Sequence, residues 1–397
     1  MKKQNWSFDK IVDRFGTQSA KWETYNKDIL PLWVADMDFK SPEPIINAII
    51  DRAKHGIFGY SDYHSDYYRA VLGWFKRHYS WEIKKEWLSF TPGVIPAINV
   101  SLRTFTNPGD KIIVQNPVYY PFYGAIENSG RKILFNPLKL LNGRYIMDFD
   151  DLKQKIKDPR AKMLILCNPH NPIGRVWSRD ELIQIGELCV ENEIIILSDE
   201  IHCDLIYPGH THCNFATIRE EFALNSITCT SLSKTFNLAG LQLSNIIIPN
   251  KKLRNRFRNT VESLFIPEEF GYLPNSLSLV AFTVAYRDCD EWLISLIQYL
   301  KQNLQFLEEF LRDNIPQIKV IKPEGTFLVW LDFNNLGIPH EQLEKFLLEK
   351  AKVALDDGVK FGKGGEGFQR INIACPRSVL QDALKRILHA LKVFASS

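Results

Sequence analysis

Apolar residues in the first two thirds of the chain gather into four short runs, at 111–115, 163–167, 194–197 and 227–230, each closed by turn-forming or polar residues. Runs of this length without alternation predict strands buried on both faces, as in a mainly parallel sheet. The stretches between them leave room for right-handed helical crossovers, and 179–191 is one such helix. Elsewhere the period changes. Ile45, Ile46, Ile49, Ile50 and Ala53 follow Ser41-Pro42-Glu43-Pro44 and predict a helix ending near Gly56, with a second at 66–78. Residues 1 to about 30 are polar and aromatic without a period, which predicts an extended arm lying on a partner.

Beyond Ile246-Ile247-Ile248-Pro249 the pattern predicts helices at 253–264, 276–286 and 290–312, a strand at 325–331, a helix at 340–350 and a last helix at 379–394. Strands grouped with helices here imply a smaller α+β unit. The chain is therefore divided into 1–45, an N-terminal arm and part of the small domain, 46–285, a large domain, and 286–397, a small C-terminal domain. The glycine-rich turn at 362–367 lacks a strand–turn–helix context and reads as a loop.

With 397 residues and 45% apolar composition the chain can bury a sizeable core. A net charge of +3, with basic and acidic residues interspersed, argues against nucleic acid and for small-molecule partners. Seven cysteines, without a C-x-x-C pair, fit a reduced cytoplasmic protein. His202-Cys203-Asp204 and His210-Thr211-His212-Cys213 match no standard zinc spacing, so no metal is expected. Met1-Lys2-Lys3 is followed by no apolar signal core, and no run reaches transmembrane length, so neither export nor membrane insertion is expected.

In open α/β sheets ligands gather beyond the carboxyl ends of strands. The residues there are Tyr119, Asn171, Asp199 and Lys234: a stacking ring, an amide, a carboxylate and an amine. Singly, each has an ordinary explanation in packing, turn formation or capping. Together they describe a site. Lys234 lies in Thr230-Ser231-Leu232-Ser233-Lys234-Thr235-Phe236-Asn237, where burial would favour the nucleophilic amine needed for a Schiff base. In Thr91-Pro92-Gly93-Val94-Ile95-Pro96 the amides of Val94 and Ile95 open a helix and can hold an anion.

Ser231-Leu232-Ser233-Lys234 with Asn237 and Gly240 resembles the cofactor-lysine motif of fold-type I pyridoxal-phosphate enzymes, in the class I/II aminotransferase superfamily. Leu32 to Phe39, Ser198-Asp199-Glu200-Ile201-His202 and the Lys234 motif resemble its cystathionine β-lyase (C–S lyase, MalY/PatB-type) branch, and the likeness runs end to end. It implies an α/β fold-type I structure, with a large domain built on a mainly parallel sheet and a small α+β domain. It also implies pyridoxal 5′-phosphate (PLP) as cofactor. Lys234 would hold the cofactor and take the Cα proton, Asp199 would face the ring nitrogen, Asn171 and His202 the phenolic oxygen, and Tyr119 would stack on the ring. Ser231, Ser233, Val94 and Ile95 would hold the phosphate with Tyr60 of a neighbouring subunit, so the resemblance implies a homodimer with shared active sites. Arg370 would bind the α-carboxylate of an amino-acid substrate. Tyr119 or Tyr60 is the candidate acid for a leaving thiol.

Gln242 stands where aminotransferases usually carry a phosphate-binding arginine, and His202 where they usually carry tyrosine. Both departures favour β-elimination from cystathionine or other cysteine S-conjugates. The alternatives are an aminotransferase and a regulatory interaction protein that keeps the fold.

Overall fold

The structure, a computed structural model, describes residues 6–265 and 274–395; the basic Met1-Lys2-Lys3 start lies outside them. Its main sheet has seven strands in the order Leu88–Thr91, Ser244–Ile247, Ser226–Thr230, Ile195–Asp199, Ala161–Cys167, Lys111–Val114 and Lys132–Phe135. Only Ser244–Ile247 runs against the others. All four predicted runs are central strands of this sheet.

These strands lack alternation because both faces of the sheet are covered. Ile112, Val114, Met163 and Ile165 point to one cluster with Ile98 and Phe122 from the helices Val94–Phe105 and Pro121–Asn128. Ile113, Leu164, Leu166 and Ile196 point to the other, with Leu182 and Ile185 of the helix Arg179–Glu191. Each fully buried aliphatic side chain contributes roughly 1.5–3 kcal/mol relative to exposure. Ser178 and Glu181 cap that last helix reciprocally, which fixes its start at the predicted residue. Gly174 closes the loop after Ala161–Cys167 at φ +68°, and a Cβ there would lie 2.4 Å from the Pro323 side chain.

A second, antiparallel sheet has the order Lys319–Ile321, Leu328–Asp332, Phe368–Asn372 and Asp356–Asp357. Its helices include Asp290–Asn314 and Arg377–Ala395. The helix His340–Phe346 continues as a π-helical turn over Leu347–Ala351. Among the described residues no helix is long and apolar enough to cross a membrane.

The N-terminal arm makes contacts within its own chain. The Phe8 ring lies 5.0 Å from Phe39 and 5.5 Å from Trp292, and buried Lys21 places Nζ 2.7 Å from the Asp38 carboxylate. Leu30–Pro31 then pairs in parallel with Val353–Ala354. The arm has no apolar period because it is anchored by separate contacts rather than along one face of a helix or strand.

Candidate active site

The carboxyl ends of the central strands open on a cavity of about 320 Å³. Asp199 ends the strand Ile195–Asp199, while Asn171, Lys234 and Tyr119 occupy the connections after Ala161–Cys167, Ser226–Thr230 and Lys111–Val114. All four line the cavity, joined by His202, Ser231, Ser233, Gln242, Cys167 and Ala35. Val94 and Ile95 line it from the first turn of the helix Val94–Phe105, whose N-terminus no side chain caps. A helix start of this kind presents N–H groups and a positive dipole end to an anion.

Burial sets the protonation of the polar walls. It pushes the Asp199 carboxyl up to about 7, against the hydrogen bond its Oδ1 accepts from the Ile201 amide at 3.1 Å. It pulls Lys234 down to about 8, opposed by the carboxylates of Asp36 and Asp199 and assisted by Arg370. His202 is lowered to about 3 by burial and by Lys234 and Arg370, so its ring is neutral, and its buried Nδ1 has no hydrogen-bond partner among the described residues. Tyr119 is raised to about 12, mainly by burial, and keeps its proton.

Lys234 Nζ donates to the Ala35 carbonyl at 2.8 Å. That carbonyl belongs to an irregular strap, residues 33–39, tied down from three sides. Asn372 Nδ2 donates to Val34 O and Asp36 O at 2.7 and 2.5 Å. Asn237 accepts from the Met37 amide at 3.0 Å and donates to Met37 O at 2.9 Å. Arg14 reaches Asp36 and Asp38, each at 2.8 Å. The resemblance singled out this stretch; the part played by its backbone carbonyl needs the fold.

Ser231 is already engaged. Its hydroxyl donates to Leu243 O at 2.7 Å and accepts from the Ser233 amide at 3.1 Å. Arg370 is buried one contact behind the cavity wall: Nη1 donates to Asn171 Oδ1 at 3.0 Å and Nη2 to Trp33 O at 2.7 Å. Tyr60 lies apart from the cavity, 97% exposed, in the loop before the helix Ser65–Tyr79. In the histidine–cysteine stretch, His212 Nε2 meets buried Glu200 at 3.0 Å, and Thr235 Oγ1 donates to Asp204 at 2.6 Å. Sequence reading missed Glu200, which fixes the turn after Asp199 by also accepting from Ser198, Asn214 and the Phe215 amide.

The aminotransferase class I and II family model matches residues 27–387. The chain is 45% identical over 390 residues to the cystathionine β-lyase PatB of Bacillus subtilis (strain 168), covering 97% of this chain and 100% of PatB. It is 32% identical over 394 residues to protein MalY of Escherichia coli (strain K12), covering 98% and 99%. Among solved structures, cystalysin from Treponema denticola, which contains a pyridoxal 5′-phosphate cofactor, superposes with a TM-score of 0.94 at 38% identity, covering 98% of this chain and 100% of that one.

Proposed function

Since the chain belongs to the class I and II aminotransferase family, we propose that it binds pyridoxal 5′-phosphate in the 320 Å³ cavity and acts as a C–S lyase. Its reaction is β-elimination from cystathionine or other cysteine S-conjugates, giving a thiol, pyruvate and ammonia, in keeping with relatives named as cystathionine β-lyase and C–S lyase. The observation that carries this reading is the convergence of Lys234, Asp199, Asn171, Tyr119 and His202 from the ends of four strands onto one cavity.

The donor set fits the cofactor. An uncapped helix start with Val94, Ile95 and Ser233 suits the phosphate, without a cationic side chain at Gln242. The Tyr119 ring suits stacking, the buried Asp199 side chain, as a carboxylate, suits a protonated ring nitrogen, and Asn171 and the unpartnered His202 Nδ1 suit the phenolic oxygen. Lys234 would hold the cofactor through its amine. When bound, PLP supplies an electron sink for the pair left at the substrate Cα.

An amine lowered to about 8 has a substantial neutral fraction near pH 8 and can take the Cα proton. Tyr119, which keeps its proton, or Tyr60 from a second copy of the chain is the candidate acid for the departing sulfur. Arg370, with N–H groups beyond those on Asn171 and Trp33, would bind the α-carboxylate. Incubating enzyme and cystathionine without a keto acid should release pyruvate and free thiol, and Lys234→Ala should abolish the visible absorbance of bound cofactor. Keto-acid-dependent amino transfer with neither product would reverse the assignment to an aminotransferase.

The working unit in this reading is a homodimer in which Tyr60 reaches the partner's phosphate. Its support is an outward-facing loop with Ile57 67% and Phe58 60% exposed beside Tyr60. The divisions near residues 45 and 286 are kept, with the arm joined to the small domain through Leu30–Pro31. Seven unpaired cysteines suit a reducing compartment, which supports the cytoplasm.

A further inference from the structure

Arg370 has a buried counter-ion that the reaction itself does not require. Asp356 is 0% exposed and lies directly opposite Arg370 in the antiparallel pairing of Asp356–Asp357 with Phe368–Asn372. Its Oδ2 is 2.6 Å from Arg370 Nη2, and its Oδ1 is 3.6 Å from Lys360 Nζ. Among the described residues neither carboxylate oxygen has a well-formed hydrogen bond, and Arg370 Nε is also buried without one. The contact is thus one of charge more than of hydrogen-bond geometry. Burial raises the Asp356 carboxyl, and only Arg370 and Lys360 pull it back towards ionisation.

Charge counting gives this arrangement a meaning. Arg370 and Lys360 carry two positive charges against the one buried negative charge of Asp356, and half-exposed Glu344, 3.7 Å from Lys360, offsets the outer lysine rather than Arg370, so Arg370 keeps part of its charge for a substrate carboxylate. We propose that Asp356, shared between Arg370 and Lys360, sets how tightly Arg370 holds the substrate carboxylate, weakening a grip that would otherwise slow release. It is a positioning and tuning residue, because it acts through Arg370. The inference rests on the assignment of Arg370 to the carboxylate, and deepens it.

Its signature is a pair of opposite effects. Removing the Asp356 charge leaves Arg370 more attractive to an anion, whereas removing the Lys360 charge leaves Asp356 free to offset Arg370 alone. Lys360 is partly exposed and also lies 3.7 Å from Glu344, so its loss leaves the strand pairing untouched. The probe is 3-(methylthio)propanoate, a carboxylate without an amino group, measured by calorimetric titration of the holoenzyme and as a competitive inhibitor. Asp356→Asn should tighten its binding several-fold, Lys360→Met should weaken it several-fold, and the double variant should return close to wild type. Weakening in both single variants, or no change in either, would overturn the proposal, since a merely structural role predicts that pattern. If Asp356→Asn fails to fold, Asp356→Ser takes its place, and weakened or unchanged probe binding there overturns the proposal. Arg370→Met separates the two layers of argument: unchanged probe binding there shows the carboxylate assignment to be wrong, whereas lost binding there without the opposite pair refutes the tuning alone.

Discussion

Burial of Asp199 works against the cofactor-free protein. The carboxyl titrates near 3.8 when unhindered and near 7 in the fold, so between those values the folded chain holds a proton that the unfolded chain has released. Stability therefore falls as pH rises through this window, by up to roughly 4 kcal/mol for a shift of about three units. Asn does not titrate. Cofactor-free Asp199→Asn should need more denaturant to unfold than wild type at pH 8, and the gap should close towards pH 4. Lys234 acts above this range: its lowered value adds stability with rising pH only between about 8 and 10.5. A gap that widens on acidification would mean that Asp199 is ionised throughout. At this scale the sequence was informative where a side chain followed a strand end, as for Tyr119, Asn171, Asp199 and Lys234. It was silent on Ala35, whose backbone carbonyl meets Lys234, and on Asp356, whose partner comes from cross-strand pairing.

Among the elements, the strap at 33–39 connects the arm, the small sheet and the lysine loop, and Asn237 ties it to the last beside the Lys234–Ala35 contact. Asn237 sits at φ +60°, a conformation that asparagine tolerates better than alanine. Replacing it removes bonds to Met37 and Phe39 and leaves strap backbone groups without partners, a cost of about 1–3 kcal/mol. Asn237→Gly should show that loss alone, and Asn237→Ala should unfold about 1 kcal/mol more easily still. Equal stability of the two variants in urea titrations would remove the backbone contribution from the argument. Periodicity located the long elements well, since the helix Arg179–Glu191 has both a periodic apolar face and a capping box. It missed the strands Leu88–Thr91, Lys132–Phe135 and Ser244–Ile247, which are four residues each and carry polar or exposed positions that blur a buried run.

For the whole molecule, the question is why so much aromatic and aliphatic surface faces outward at Ile57, Phe58 and Tyr60 when other tyrosines, such as Tyr67 and Tyr286, are buried. Solvent gives these loop side chains no compensating contact, whereas in the proposed homodimer a second copy of the chain would bury them and bring Tyr60 to the other subunit's cavity. Shared sites can be tested by complementation. Tyr60→Phe and Lys234→Ala chains each damage both sites of their own homodimer, but in a mixed dimer one site receives Lys234 from the first chain and Tyr60 from the second. Refolding the two variants together at equal ratio should recover up to about a quarter of wild-type elimination activity, because half the dimers are mixed and each has one intact site. Sedimentation should show the mixture as dimers, with neither variant alone matching the recovered rate. Mixed dimers that form without any gain in pyruvate release, or a fully active monomer, would confine each active site to a single chain.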